Sequence, residues 1–278
     1  MSSDADDLLD MPRPVGTLAA AACAAPGRTL PVLGVPVCDM TMADALGVLE
    51  RMLLQRASTN AVFFVNAHTL NLACDEPGFR AELCSADRVF GDGTGVRWAV
   101  RWLHGHALRD NVNGTDVVPL LFARLAGRSL RYFLLGNTPD RIERAAAHAR
   151  AAFAGWTQAG FHHGYLGDAD DAALLEQINT SGANLLLVGM GNPKQEQWIA
   201  RHLPQLRVPL VMGTGGLFDY WVGDLVRAPA WVRRLGCEWL HLLASQPHKA
   251  RRYLLGNPKF LWHVARSRVL GHDKESRT

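Results

Sequence analysis

Short apolar runs recur along this chain, most of them closed by Gly or Asn and followed by about ten to fifteen residues of helical pattern. No other feature restricts the fold as severely. The runs are Thr29–Val37, Ala61–Asn66, Ala86–Val89, Arg131–Gly136, a stretch around Phe161, Leu185–Val188 and Val208–Met212. Helices are expected from a Thr41 cap to about Arg56, after Asn66 through Ala73, over Val96–Leu103, after Asn113–Asp116, from Pro139 to Phe153, over Ala169–Asn179 and from Pro193 to Arg201. A strand that is apolar on consecutive residues is covered on both faces, and strand–helix alternation builds such strands into a parallel sheet. The expected class is therefore α/β: a Rossmann-like, mostly parallel sheet with helices on both faces. A division into two α/β halves near Arg128 is left open.

Leu185–Trp198, LLLVGMGNPKQEQW, shows how such a unit carries chemistry. The strand runs into Gly189 and Gly191, and Pro193 then opens a helix. Strand, glycine turn and helix present backbone N–H groups and a positive dipole end to an anion such as a phosphate. Lys194, Gln195 and Glu196 occupy the first helical turn, around the place of such a ligand. The same residues also suit an ordinary strand-to-helix turn.

Composition bounds the remaining choices. The 278 residues are 48% hydrophobic and 20% charged, enough for a real core, and no apolar run reaches the roughly 20 residues of a membrane span. The start is acidic (Asp4, Asp6, Asp7, Asp10) and its Ala-rich Leu18–Ala25 is short, unlike a signal peptide. Residues 1–28 read as a disordered leader and 29–226 as the α/β domain. Cys23, Cys38, Cys74, Cys84 and Cys237 are scattered without CxxC spacing, which favours free thiols in a reducing compartment. Charge is uneven. From Arg227 on, eleven Lys/Arg face three Asp/Glu, a net of +8, whereas the first 226 residues carry −5. Residues 227–278 read as a helical basic appendage, with helices over Trp231–Leu243, Pro247–Leu255 and Pro258–Val269. Its mixture of Trp and Arg suits a headgroup interface or, equally simply, a packed cap with a solvated basic face.

Parallel sheets bind ligands at the carboxyl ends of their strands. Asn66, Gly91–Gly95, Gly136–Asn137, Gly189–Gln195 and Gly213–Gly216 fall there. Asp92, between two glycines, is the best candidate for a general base; it could equally satisfy turn N–H groups alone. His162-His163 have poor two-ligand spacing, and no HExxH, GxSxG, Walker A or complete GxGxxG motif is present.

Taken in order, VNAHTLNLA from Val65, SADRVFGDGTGV from Ser85, NGTD at Asn113, GMGNPKQE at Gly189, GTGGLFD at Gly213, RAP at Arg227 and EWL at Glu238 resemble the WecG/TagA/CpsF family of bacterial glycosyltransferases, over roughly Pro31–Leu270. The resemblance implies inverting transfer of a sugar, usually N-acetylmannosamine or alternatively glucose, from a UDP-sugar to a polyprenyl-diphosphate-linked saccharide in surface-polysaccharide synthesis. It implies no metal and no cofactor. It also implies a cytoplasmic enzyme, peripheral on the anionic inner face of the membrane. The family's base falls on Asp92, with Asn66 in the same pocket and Gln195 near the donor. Gly93, Asn113, Asp116, Gly136, Asn137, Gly189, Gly191, Lys194, Glu196, Gly213, Gly215 and Gly216 complete the expected substrate site. Arg227, Arg233 and Arg234 match the family's diphosphate-facing arginines, in a C-terminal region that closes over the site.

Two positions depart from the family pattern. Asn111 stands where an arginine is frequent, with Arg109 two residues away, and Phe64 stands where a small polar residue is frequent. The competing readings are a nucleotide-cofactor oxidoreductase, disfavoured by the missing GxGxxG, and a non-catalytic lipid- or nucleotide-binding α/β protein. Nucleic acid is disfavoured because the body of the chain is acidic. Homo-oligomerisation is left open.

Overall fold

The computed structural model describes residues 28–55, 58–167, 171–225, 228 and 250–271. Residues 1–27 of the expected leader, the Trp231–Leu243 helix, Arg227, Arg233, Arg234, Cys23 and Cys237 lie outside the described residues, and the last leader residue, Arg28, instead begins the first strand.

Eight strands form one sheet: β1 (Arg28–Val32), β2 (Val35–Asp39), β3 (Asn60–Val65), β4 (Arg88–Gly91), β5 (Arg131–Gly136), β6 (Thr157–His162), β7 (Leu185–Gly189) and β8 (Leu210–Gly213). Their spatial order is β1-β2-β4-β3-β8-β7-β5-β6, antiparallel only between β1 and β2. Strands on either side of Arg128 form the two sides of this sheet. They meet where β3 pairs with β8, Asn60 opposite Leu210 through Phe63 opposite Gly213. No boundary runs through the packing, because each face of the sheet has a core drawn from both sides.

Along β3, Phe63 and Val65 point into one core and Val62 and Phe64 into the other; Leu186/Val188 and Leu185/Leu187 of β7 divide the same way. That two-sided burial is why the strands read as continuous apolar runs. One face is covered by α2 (Ala67–Asp75), α3 (Pro77–Cys84), α4 (Thr94–His104), α7 (Asp171–Thr180), α8 (Lys194–His202) and α10 (Ala250–Leu270). The other is covered by α1 (Met42–Leu54), α5 (Gly114–Arg124), α6 (Pro139–Ala152) and α9 (Leu217–Trp221). Local chemistry starts these helices. The Thr41 side chain and Asp44 form a reciprocal capping box at α1, and Asn66 and Asn113 cap α2 and α5.

Four features depart from the sequence expectations. Thr29–Val37 is a hairpin rather than one strand, turning at Leu33 (φ 54°) and Gly34 (φ 80°). A two-residue turn with both φ positive ordinarily calls for Asn-Gly, so a leucine there hides it. The short helices α3 and α9 were not expected. Finally, α10 runs unbroken through Pro258, where the sequence suggests one helix ending and another beginning. Tertiary packing holds the segment together: Phe260 and Val264 are buried in the core, and the Asn71 amide donates to the Gly256 carbonyl at 2.8 Å.

Candidate active site

Right-handed crossovers between parallel strands bring every helix N-terminus on the strands' carboxyl side to one edge of the sheet. At that edge lies a cleft of about 1380 Å³. It is lined by the first residues of α2, α4, α5 and α8 and by the Gly213–Gly216 turn before α9.

Asp92 follows β4, and its own N–H donates to the Val65 carbonyl at 2.8 Å, tying it to the end of the neighbouring strand. The glycines around it are required for different reasons. A Cβ at Gly91 would lie 2.6 Å from the Leu108 side chain, whereas Gly93 turns the chain into α4 at φ 91°. The Gly93 N–H is held at 2.7 Å by the Asn111 side-chain oxygen. The asparagine that stands in place of an arginine is thus a support for the Asp92 turn. Arg109 turns away, pairs with Asp44 at 3.2 Å and does not line the cleft.

Asn66 commits its oxygen to the N–H groups of His68 and Thr69, at 3.0 and 3.2 Å, and so presents its amide nitrogen to the cleft. Asn113 lines the opposite wall. Its oxygen accepts from the Asp116 N–H and the Thr115 hydroxyl, and its amide donates to the Asp116 carboxylate at 2.7 Å. Beside it, Phe64 packs on Phe90 and beneath Gly114, giving this part of the pocket an apolar wall.

Across the β3–β8 junction, Asn137 adopts φ 57° and donates from its side chain to Asp219 at 2.7 Å. Gly136 lies behind it, where a Cβ would come within 2.3 Å of the Gly189 carbonyl, so glycine there lets the ends of β5 and β7 close up. At the start of α8, Gln195 accepts from the Gly215 N–H at 2.9 Å, and Lys194 projects exposed into the cleft.

Asn66, Asp92, Gly93, Asn113, Asn137, Gly189, Gly191, Lys194, Gln195, Gly213, Gly215 and Gly216 all line the cleft. Asp116, Gly136 and Glu196 do not; they stand one layer behind it. Several lining residues had no local signal. Trp98, Arg141, Tyr165, Asp171, Arg201, Asp219 and the α10 residues Phe260 and Leu261 come together only through the fold. Asp219 was visible within GTGGLFD as a motif member but not as a site residue.

Residues 30–274 match the model of the glycosyl transferase WecG/TagA/CpsF family. The chain belongs to this family. It is accordingly a glycosyltransferase, and membership implies sugar transfer in polysaccharide or teichoic acid synthesis, from a sugar donor to a lipid-linked acceptor. Among the described residues of this WecG/TagA/CpsF protein no helix is long and apolar enough to cross a membrane. No three His, Cys, Asp or Glu side chains group as metal ligands among them; His162 ends β6 and His163 follows it, both half-buried. Cys38, Cys74 and Cys84 are free thiols.

Proposed function

We propose that this enzyme inverts the anomeric centre of a sugar as it moves it from UDP to a polyprenyl-diphosphate-linked saccharide on the anionic inner face of the cytoplasmic membrane. N-acetylmannosamine or glucose is the donor sugar in this reading, and Asp92 is the base. The observation that carries it is the placement of the Asp92 carboxylate, at the end of β4, in a cleft ringed by the N-termini of α2, α4, α5 and α8.

The chemistry follows from those positions. The acceptor hydroxyl attacks the anomeric carbon, Asp92 takes its proton, and the bond to the UDP oxygen breaks on the opposite face. The charge left on the diphosphate is met by helix N-termini, with Lys194 and, outside the described residues, Arg227, Arg233 and Arg234 as cationic partners. No divalent ion is needed in this reading. The cleft is large enough for both substrates, and small-molecule sites span about 300–1,000 Å³.

The test is UDP release from a panel of UDP-sugars, with and without a polyprenyl-diphosphate-GlcNAc analogue, in EDTA. Acceptor-dependent release from one donor is expected, and Asp92→Asn should lower it about 10²-fold or more while UDP still binds. Near-normal turnover of Asp92→Asn would remove Asp92 from the role of base. Release that EDTA abolishes and a divalent ion restores would overturn the metal-independent mechanism.

A further inference from the structure

Glu196 is a charged residue type on the first turn of a helix at the cleft, yet it is fully buried and does not line the cleft. One of its carboxyl oxygens, Oε1, accepts two amide donors: the Asn192 side chain at 2.5 Å and the Gln195 side chain at 2.7 Å. Both of those residues do line the cleft. The Gln195 amide passes the connection on, because its oxygen accepts from the Gly215 N–H at 2.9 Å. Its nitrogen sits so close over Gly213 that a Cβ there would be 3.2 Å away. A single buried oxygen therefore ties the turn after β7, Gly191–Pro193, to the turn after β8, Gly213–Gly216.

From these contacts we infer that Glu196 is a positioning residue for the nucleotide donor: it fixes the Gln195 amide so that the two glycine turns keep the spacing that receives the diphosphate. The inference rests on the donor assignment above. A side-chain amide is symmetric enough to be held either way round. Here an acceptor on the Glu196 side dictates that the Gln195 nitrogen faces Glu196 and its oxygen faces Gly215. If the acceptor is removed, the amide can rotate, the Gly215 N–H loses its partner, the half-buried Asn192 amide loses its own, and the buried Gln195 donor is left without one. The arrangement is costly, which argues that it is more than filler. The second oxygen of Glu196 has no hydrogen-bond partner, and burial pushes its pKa up to about 7, with Glu82 of α3 adding to the rise. A glutamine offers the same acceptor oxygen without the charge, and this sets up the test.

Full-length wild type, Glu196→Gln, Glu196→Asp and Glu196→Ala would be compared by calorimetric titration with UDP and by steady-state kinetics against donor and acceptor separately. Glu196→Asp withdraws the acceptor by one methylene and serves if Glu196→Ala does not fold. Glu196→Asp and Glu196→Ala should weaken UDP binding and raise the donor KM about tenfold, with acceptor KM unchanged, as expected for one lost buried hydrogen bond. Glu196→Gln should stay within about twofold of wild type, because it keeps the acceptor oxygen. Unchanged UDP affinity in Glu196→Asp, or Glu196→Gln as weak as Glu196→Ala, overturns the inference. If wild type itself fails to bind UDP, the donor assignment falls and takes this inference with it; wild-type binding with an indifferent Glu196→Asp overturns this inference alone.

Discussion

At the scale of single residues, the cleft is built from side chains whose hydrogen-bonding is mostly spent on the backbone. Asn66, Asn113 and Asn137 each hold a turn or a helix start before they can touch a ligand. Such residues set the shape of the site to within a hydrogen bond's tolerance, which is what pre-organised electrostatic stabilisation requires. Glu196 differs in carrying a titratable group into this framework, and that makes its effect on stability depend on pH. Its pKa rises from 4.5 to about 7 on folding, so between those values the native state binds more protons than the unfolded chain. Stability contributed by this group is therefore full below pH 4.5 and lost as pH climbs through about 7. Glu196→Gln removes the dependence. In thermal melts it should gain on wild type at pH 8 and show little difference at pH 5; a larger gain at pH 5 would contradict the buried acid's assignment.

Among the elements, α10 shows how packing overrides local preference. Pro258 cannot donate the helix hydrogen bond and ordinarily costs about 3 kcal/mol in a helix interior. Burial of Phe260 and Val264 against the α2/α4 side of the core outweighs that cost. Two nearby substitutions separate apolar burial from surface charge. Phe260→Ala should lose about 3–5 kcal/mol of the docking of α10. In hydrogen exchange this would appear as early loss of protection over 250–271. Lys259, which pairs with Asp75 at 44% and 42% side-chain exposure, lies on the same helix. Its replacement by Ala should cost no more than about 1 kcal/mol. Equal effects of the two would mean that α10 is held by charge and not by its apolar stripe. Because Phe260 and Leu261 also line the cleft, Phe260→Ala is expected to impair turnover along with docking.

For the molecule as a whole, the distribution of charge is the property that most directly bears on a lipid-linked substrate. The described part of the basic region, α10, exposes Leu254, Leu255, Leu261 and Trp262 on one element. Arg266 stands over the Trp262 ring at 5.4 Å. Apolar and cationic groups presented together suit an anionic bilayer surface, at about 1 kcal/mol per basic residue near it. Arg266→Glu should reduce sedimentation with vesicles containing anionic lipid, and raising the salt concentration should shrink the difference. Unchanged binding would remove α10 from a membrane-binding role.

Much of this molecule was determined by sequence alone. Runs apolar on both faces require coverage on both faces, so β3, β5 and β7 and the helices after them were legible within a few residues. The glycines and asparagines that close those strands belong to one edge of a parallel sheet, and that alone puts Asp92, Asn66 and Gln195 there. Other features depended on distances that no local pattern encodes. Leu33 enters a tight turn because the hairpin pairs well on either side of it. Helix α10 continues through Pro258 because the core accepts Phe260. Asp219 meets Asn137 because β8 inserts beside β7 rather than at an edge. Glu196 looked like a cleft residue by its place on the first turn of α8, and only the closeness of the β8 turn puts it behind the wall. Local propensity acts over a few residues and was readable as such; the order of strands, and the contacts that follow from it, arises from the competition of all the apolar surfaces for two faces of a single sheet.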